Sequence, residues 1–246
     1  MGIPNVGNAL YAIQELVYRR REIRPEALMN ALACNFEGPE NEAIRLRLFA
    51  GADKYGNDCD EVDEMVVRTS DFYFKNILKY RNMRHGLGPI GGNFTSSTVT
   101  ISTNVSSGKV VGATADGRYA FEPTCDGVSP MHKTQFQGPT AVFNSVTKLS
   151  TRDVSGGQLL NMRFQPQLLS TPEKEAKFIA MIRGYFRREG WHVQFNMISN
   201  DVLRDAQKNP ENYRDLVVRV AGYSALFTAL DTQTQNDIIN RTEFEI

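Results

Sequence analysis

The chain has 246 residues, 41% hydrophobic and 23% charged, the make-up of a globular protein with room for one large domain or two modest ones. Lys and Arg total 28 and so do Asp and Glu; the zero net charge argues against a nucleic-acid module and against an acidic solvating tail. No apolar run reaches the roughly 18 residues that a membrane-spanning helix needs.

The opening MGIPNVGNALYAIQELVYRRR lacks the layout of a secretory leader, and Val6 stands where myristoylation wants Ser or Thr, so a cytosolic (cytoplasmic) protein is expected. Cys34, Cys59 and Cys125 form no CxxC pair, which fits a reducing compartment and offers no disulfide framework. His85, His132 and His192 are isolated, so no metal site is expected.

The first part reads as helical. Residues 6–20 place Leu10, Ile13, Leu16 and Val17 at helix-face spacing and end in the basic cluster Arg19–Arg21. Pro25 suits the first turn of a second helix, with Ala27, Leu28, Ala31 and Leu32 as its stripe. Residues 41–50 and 60–83 predict two more, the longer carrying Val62, Met65, Val66, Thr69, Phe72 and Phe74. The basic cluster and the acidic stretch Asp58–Glu64 read as solvated helix surface.

At 85–95 the composition changes to HGLGPIGGNFT, a Gly-rich loop. Thr98–Val105 then alternates Val99, Ile101 and Val105 against Thr98, Thr100, Ser102 and Asn104, predicting a strand with one polar face. Residues 106–140, rich in Gly and Pro, predict a long loop, and loops of that length are usually functional or packed against something large.

The last third alternates strand and helix. Residues 158–164 suit a strand, and Thr171 caps a helix from Pro172 with Phe178, Ile179, Ile182, Tyr185 and Phe186 on one side before Gly190. His192–Ser199 predicts a second strand, with Val193, Phe195 and Met197 opposite His192, Gln194 and Asn196. A short helix follows near 201–208. Val217–Tyr223 reads as a strand ending at a glycine, and Thr232 with Gln235 makes a capping box for a closing helix. Strands separated by helices predict a mainly parallel α/β arrangement.

Three segments in order carry a resemblance. KVVGATADGR at 109–118 leads to EPTCDGVSP; GPTAVFNSVTKL at 138–149 leads to SGGQLLNMRF; VVRVAGYSALF at 217–227 leads to QNDIINRTE. Together they resemble the C-terminal portion of a glycyl radical enzyme of the pyruvate formate-lyase-like family. The resemblance covers nearly the whole chain and implies two parts. Residues 1–118 correspond to the largely helical end of the pyruvate formate-lyase-like domain, and 119–246 to the glycine-radical domain. The implied fold is part of a ten-stranded α/β barrel built from two half-barrels.

The resemblance places a backbone radical on Gly222, with Arg219, Val220, Ala221, Tyr223 and Ser224 as its loop neighbours. Chemistry explains the residue type. A main-chain carbon radical is stabilised jointly by the flanking amide nitrogen and carbonyl, and only glycine lets that centre flatten without a side chain pressing on them. Val218, Val220, Ala221 and Leu226 supply apolar surroundings against water and oxygen. An isolated glycine would read only as a strand end or bulge. Gln194 and Asn196 fit either a role facing the barrel interior or polar groups satisfied within its core. Asp116 and Arg118 read as fixing a turn.

In the family the radical oxidises a cysteine on a second loop, and the thiyl radical takes hydrogen from the substrate. None of the three cysteines matches that loop: Cys34 packs as a small apolar group, Cys59 lies among carboxylates, and Cys125 is in the EPTCDGVSP loop. The chain alone is therefore expected to be inactive. It is an excerpt of a longer enzyme, a subunit of a cysteine-bearing partner, or a spare part replacing an oxygen-damaged domain. The AGY and HVQFN segments resemble the glycerol or diol dehydratase and decarboxylase branch more than formate acetyltransferase, a transferase whose name the family shares. The implied chemistry is lyase or dehydratase action on a small metabolite in anaerobic metabolism. The radical would be installed by a separate S-adenosylmethionine/iron–sulfur activating enzyme, since no cysteine cluster here binds iron–sulfur. A homo-oligomer is implied if the chain is part of a full enzyme, and its exposed strand edges imply association.

Overall fold

In the computed structural model, residues 2–81 and 94–244 are described; residues 85–93 of the loop predicted at 85–95, His85 among them, and residues 82–83 of the predicted long helix lie outside them. The first helices cross on a glycine. α1 (Ile3–Ala12), with Pro4 in its first turn, lies against α4 (Asp60–Ile77) so closely that a Cβ on Gly7 would stand 2.3 Å from Val66 Cγ2. After α1 the helix continues as a wider π-helical turn over Ile13–Arg19. Tyr11, Ala12, Leu16 and Val17 are buried, while Leu10, expected on the core face, is exposed.

α2 (Pro25–Ala33) and α3 (Pro39–Ala50) each begin on a proline, whose missing N–H costs nothing at a first turn. On α4 Val62, Val66, Ser70 and Phe74 are buried at four-residue spacing, the expected Phe72 is exposed, and Asp63, expected in solvated surface, is buried where it accepts from Ser145 and Lys148.

The predicted strand Thr98–Val105 is not formed. Thr98 alone bridges to Gln158, and Ile101 and Ser102 take φ of 45° and 62°, after which α5 (Thr103–Gly108) begins. The two sides do not separate as expected: Thr98, Thr100 and Asn104 are buried with Val105, and Ile101 is exposed. Thr98 Oγ1 donates to Gly157 O at 3.4 Å and Asn104 Nδ2 to Asp237 at 3.2 Å, which satisfies two of these buried polar groups.

The segment beyond α5 is ordered by its own side chains. Asp116 accepts from Asn5 Nδ2 at 2.7 Å and from Thr114 Oγ1 at 2.5 Å, and Thr114 N–H donates to Arg118 O at 3.0 Å. The buried Arg118 guanidinium donates to the carbonyls of Tyr119, Glu122 and Gly112. Asp116 and Arg118 therefore fix the turn, as expected.

α6 (Pro139–Val146) precedes β1 (Asn161–Phe164), the centre of a three-stranded parallel sheet ordered β2–β1–β5. α7 (Pro172–Arg187), capped by Thr171, connects β1 to β2 (Gln194–Asn196) and covers the sheet with Phe178 and Tyr185. Ile179 and Phe186, predicted on that face, are exposed. α8 (Asn200–Lys208) is capped by Ser199, and α9 (Thr232–Asn240) leads into β5 (Glu243–Phe244). The expected Thr232–Gln235 box is replaced at α9. Asp231 caps it, accepting from Gln233 N and Thr234 N at 3.1 Å each, which frees Gln235 to donate to Phe227 O.

Val217–Tyr223 departs furthest from expectation. It splits into β3 (Val217–Arg219) and, after a reversal, β4 (Ser224–Leu226), paired antiparallel rather than joining the parallel sheet. Beneath this hairpin lies a second small core of Leu203, Ala206, Val218, Val220, Phe227, Ile238 and Ile239.

Candidate functional site

Gly222 sits at the tip of the β3–β4 hairpin. Val220 N–H donates to Tyr223 O at 2.9 Å, which leaves Ala221 and Gly222 as a two-residue reversal with Gly222 at φ +84°. That φ is what demands glycine. Space does not: a Cβ would meet only Leu159 Cδ1, at 3.8 Å. Val218, Val220 and Ala221 are buried, whereas Gly222, Tyr223 and Ser224 are exposed. Leu226, expected among the shielding residues, is exposed because its register partner is the outward-facing Val217. Arg219 is half-buried and donates across the hairpin to Ser224 Oγ at 3.0 Å.

The polar face of β2 holds this tip. Asn196 uses its side-chain amide as a substitute strand: Nδ2 donates to Arg219 O at 2.7 Å, and Oδ1 accepts from Arg219 N at 2.8 Å. Gln194 reaches the tip itself. Its Oε1 accepts from Gly222 N at 3.1 Å and from Arg219 Nη2 at 3.2 Å, while Nε2 donates to Asn161 Oδ1 and, at 3.5 Å, to Val220 O. Both side chains are buried against the glycine hairpin, which the two sequence-based alternatives for them did not specify.

A second hold comes from Arg241. Its guanidinium donates to Val220 O at 2.8 Å and to Arg219 O at 3.3 Å. It is neutralised by Asp237 at 3.2 Å and Asp126 at 3.7 Å. Asn161 Nδ2 adds a bond to Val220 O at 3.3 Å and another to Asp126. The Val220 carbonyl thus faces three donors, which hold the backbone beside Gly222 in place.

Burial, followed by nearby Asp116, Asp126 and Asp237, pushes the Cys125 thiol well above its ordinary value, which keeps it protonated. Burial also raises Cys59, whose Sγ lies 3.6 Å from Asp53, and Cys34 rests against its own helix at Ala31 O. Burial and then Arg219 lower His192. Among the described residues no group of three or more His, Cys, Asp or Glu side chains is placed to hold a metal, and no helix is long and apolar enough to cross a membrane.

Residues 124–228 match the family model described as "Glycine radical", and residues 1–108 match "Pyruvate formate lyase-like". The chain belongs to the pyruvate formate lyase-like glycyl radical enzymes, with the make-up of their C-terminal portion. It is 46% identical over 244 residues to the probable dehydratase YbiW of Escherichia coli, covering 99% of this chain and 30% of that one. It is 35% identical to the trans-4-hydroxy-L-proline dehydratase of Clostridioides difficile, with 99% and 30% covered. Among solved structures, the glycerol-bound B12-independent glycerol dehydratase from Clostridium butyricum superposes with a TM-score of 0.92 at 42% identity, over all of this chain and 30% of the other. The chain thus spans about a third of the length of its relatives, and its fold is that of a partial α/β barrel of this family.

The residues that sequence reasoning missed are Asn161, Arg241, Asp126 and Asp237. Each lies inside a segment quoted for the resemblance (LLNMRF, QNDIINRTE, EPTCDG), so the motifs marked them without revealing that they share one target.

Proposed function

We propose that this chain is the radical-storing portion of a glycyl radical dehydratase or related lyase, with Gly222 as the radical residue and Arg219, Val220, Ala221, Tyr223 and Ser224 as its loop. The supporting observation is a glycine at φ +84° on an apex whose flanking backbone is held by Gln194, Asn196, Asn161 and Arg241. In this reading an activating partner of the S-adenosylmethionine/iron–sulfur class removes one hydrogen atom from Gly222 Cα. The unpaired electron then spreads over the Gly222 nitrogen and carbonyl. When a cysteine S–H approaches, its hydrogen atom passes to Gly222 Cα, restoring glycine and leaving a thiyl radical. That radical takes a hydrogen atom from the substrate and returns it at the end of the cycle, after which the Gly222 radical re-forms.

The thiyl cysteine is assigned outside these 246 residues. Cys125 is buried, Cys34 lies against Ala31 O and Cys59 against Asp53, and none of the three is among the groups bonded to the Gly222 hairpin. Turnover accordingly requires a cysteine-bearing remainder or partner, and the chain alone is inactive. The dehydratase names of the relatives favour loss of water from a small hydroxylated metabolite over formate acetyltransferase chemistry. A division near residues 118–119 and a cytoplasmic location complete the proposal.

The test is anaerobic activation, an electron paramagnetic resonance spectrum, then air. A doublet is expected, followed on aeration by a cut at Gly222 that releases residues 223–246. An activated chain that shows the doublet and stays whole in air refutes the site, as does the absence of any doublet.

A further inference from the structure

We propose that Gln194 is a positioning residue for the radical, acting through the hydrogen bond its side-chain oxygen accepts from the Gly222 N–H. The proposal rests on the radical reading of Gly222. Of the groups that hold the hairpin, only Gln194 bonds to Gly222 itself among the described contacts; Asn196, Asn161 and Arg241 hold Arg219 and Val220.

The orientation of this amide is determined by its surroundings. Oε1 faces two donors, Gly222 N at 3.1 Å and Arg219 Nη2 at 3.2 Å. Nε2 faces two acceptors, Asn161 Oδ1 and Val220 O. Rotating the amide by half a turn would set donor against donor and acceptor against acceptor at all four partners. Asn161 is oriented in turn by Asp126, whose carboxylate accepts from Nδ2. A line of oriented groups therefore runs from Asp126 through Asn161 and Gln194 to the Gly222 amide. All are buried except half-buried Asn161 and the exposed glycine at the end.

The consequence is electronic as well as geometric. An unpaired electron on Cα is stabilised when the neighbouring nitrogen shares its lone pair, which needs the amide plane and the flattened Cα to be coplanar. An acceptor on the N–H fixes that plane and raises the electron density that the nitrogen can lend. Arg219, on the same oxygen, keeps the acceptor in place by a charge-assisted bond.

The test uses the full chain, labelled with isotopic glycine, activated anaerobically and read by electron–nuclear double resonance at the Gly222 amide hydrogen. Gln194→Met, of equal length without the oxygen, is expected to keep the doublet and shift the amide-hydrogen coupling. Asn196→Leu, which loosens the hairpin at Arg219, leaves the coupling unchanged, so loosening alone does not account for the shift. Gln194→Glu restores an acceptor oxygen and does not reproduce the Gln194→Met shift. In the unactivated chain, Gln194→Met exchanges the Gly222 amide roughly tenfold faster by nuclear magnetic resonance. If Gln194→Met does not fold, Gln194→Ala, which also lacks the acceptor oxygen, is read in its place, and a coupling equal to that of wild type overturns the proposal. Equal couplings in wild type and Gln194→Met also overturn it while leaving Gly222 as the radical residue. A doublet that survives Gly222→Ala overturns both readings.

Discussion

Replacing Gly222 with alanine separates the chemistry of the tip from its folding. At φ +84° an L-residue costs about 1–2 kcal/mol, and the stiffer unfolded chain returns about 0.4–1 kcal/mol. No steric cost is added, because the nearest atom to the new methyl is Leu159 Cδ1 at an ordinary 3.8 Å. The net loss is about 1 kcal/mol, which for a chain of this size lowers Tm by about 2–4 °C. The radical should respond quite differently. Flattening Cα would drive the methyl into the plane of the flanking peptide groups, so the paramagnetic doublet is expected to vanish. Thermal unfolding of the unactivated variant and a spectrum after anaerobic activation check the two halves independently. A Tm loss beyond about 10 °C would refute the geometry of the tip, and a surviving doublet would refute the radical assignment.

Arg241→Met should destabilise the hairpin by about 3–5 kcal/mol, because Asp126 and Asp237 lose their buried counter-charge and Val220 O its shortest donor. Urea unfolding measures this, and a loss below about 1 kcal/mol would contradict the cradle. Lys54, buried with its amine on Leu48 O and Ala52 O, is lowered by burial from 10.5 to about 8. Between those values the unfolded chain binds more protons, so stability rises with pH across that window, and below it the folded state carries a penalty of about 3 kcal/mol. Relative to wild type, Lys54→Met should therefore lose about 3 kcal/mol of its advantage as pH rises from about 8 to 10.5. A difference that stays flat with pH removes the burial argument.

Helix starts were legible where chemistry marks them locally. Pro25 and Pro172 stand in first turns and Thr171 bonds the N–H of Lys174, all properties of neighbouring residues. Buried faces were harder to read. On the first helix the buried face runs through Pro4, Gly7, Asn8, Tyr11 and Ala12, small and polar residues included, and leaves the apolar Leu10 exposed. At 98–105 the alternation was real, but Thr98 and Asn104 find partners inside while Ile101 is left exposed. Asn104 bonds Asp237, 133 residues away, and a separation of that kind is invisible to a local pattern.

The hairpin that carries Gly222 was marked by its motif and hidden as a structure. RVAGYSALF shows an apolar run broken by glycine, which reads equally as the end of a parallel strand or as a reversal. Two three-residue strands are too short to show alternation, and an isolated hairpin of that length is marginal in water. Its stability must come from elsewhere. Asn196 pairs with both backbone groups of Arg219 as an adjacent strand would, and Arg241, Asn161 and Gln194 converge on Val220. A continuous strand through Gly222 would have used the backbone groups of these residues for ladder bonds. The short hairpin leaves them to side chains, so the rigidity of the tip depends on buried amides and an arginine contributed by distant segments, and not on strand length.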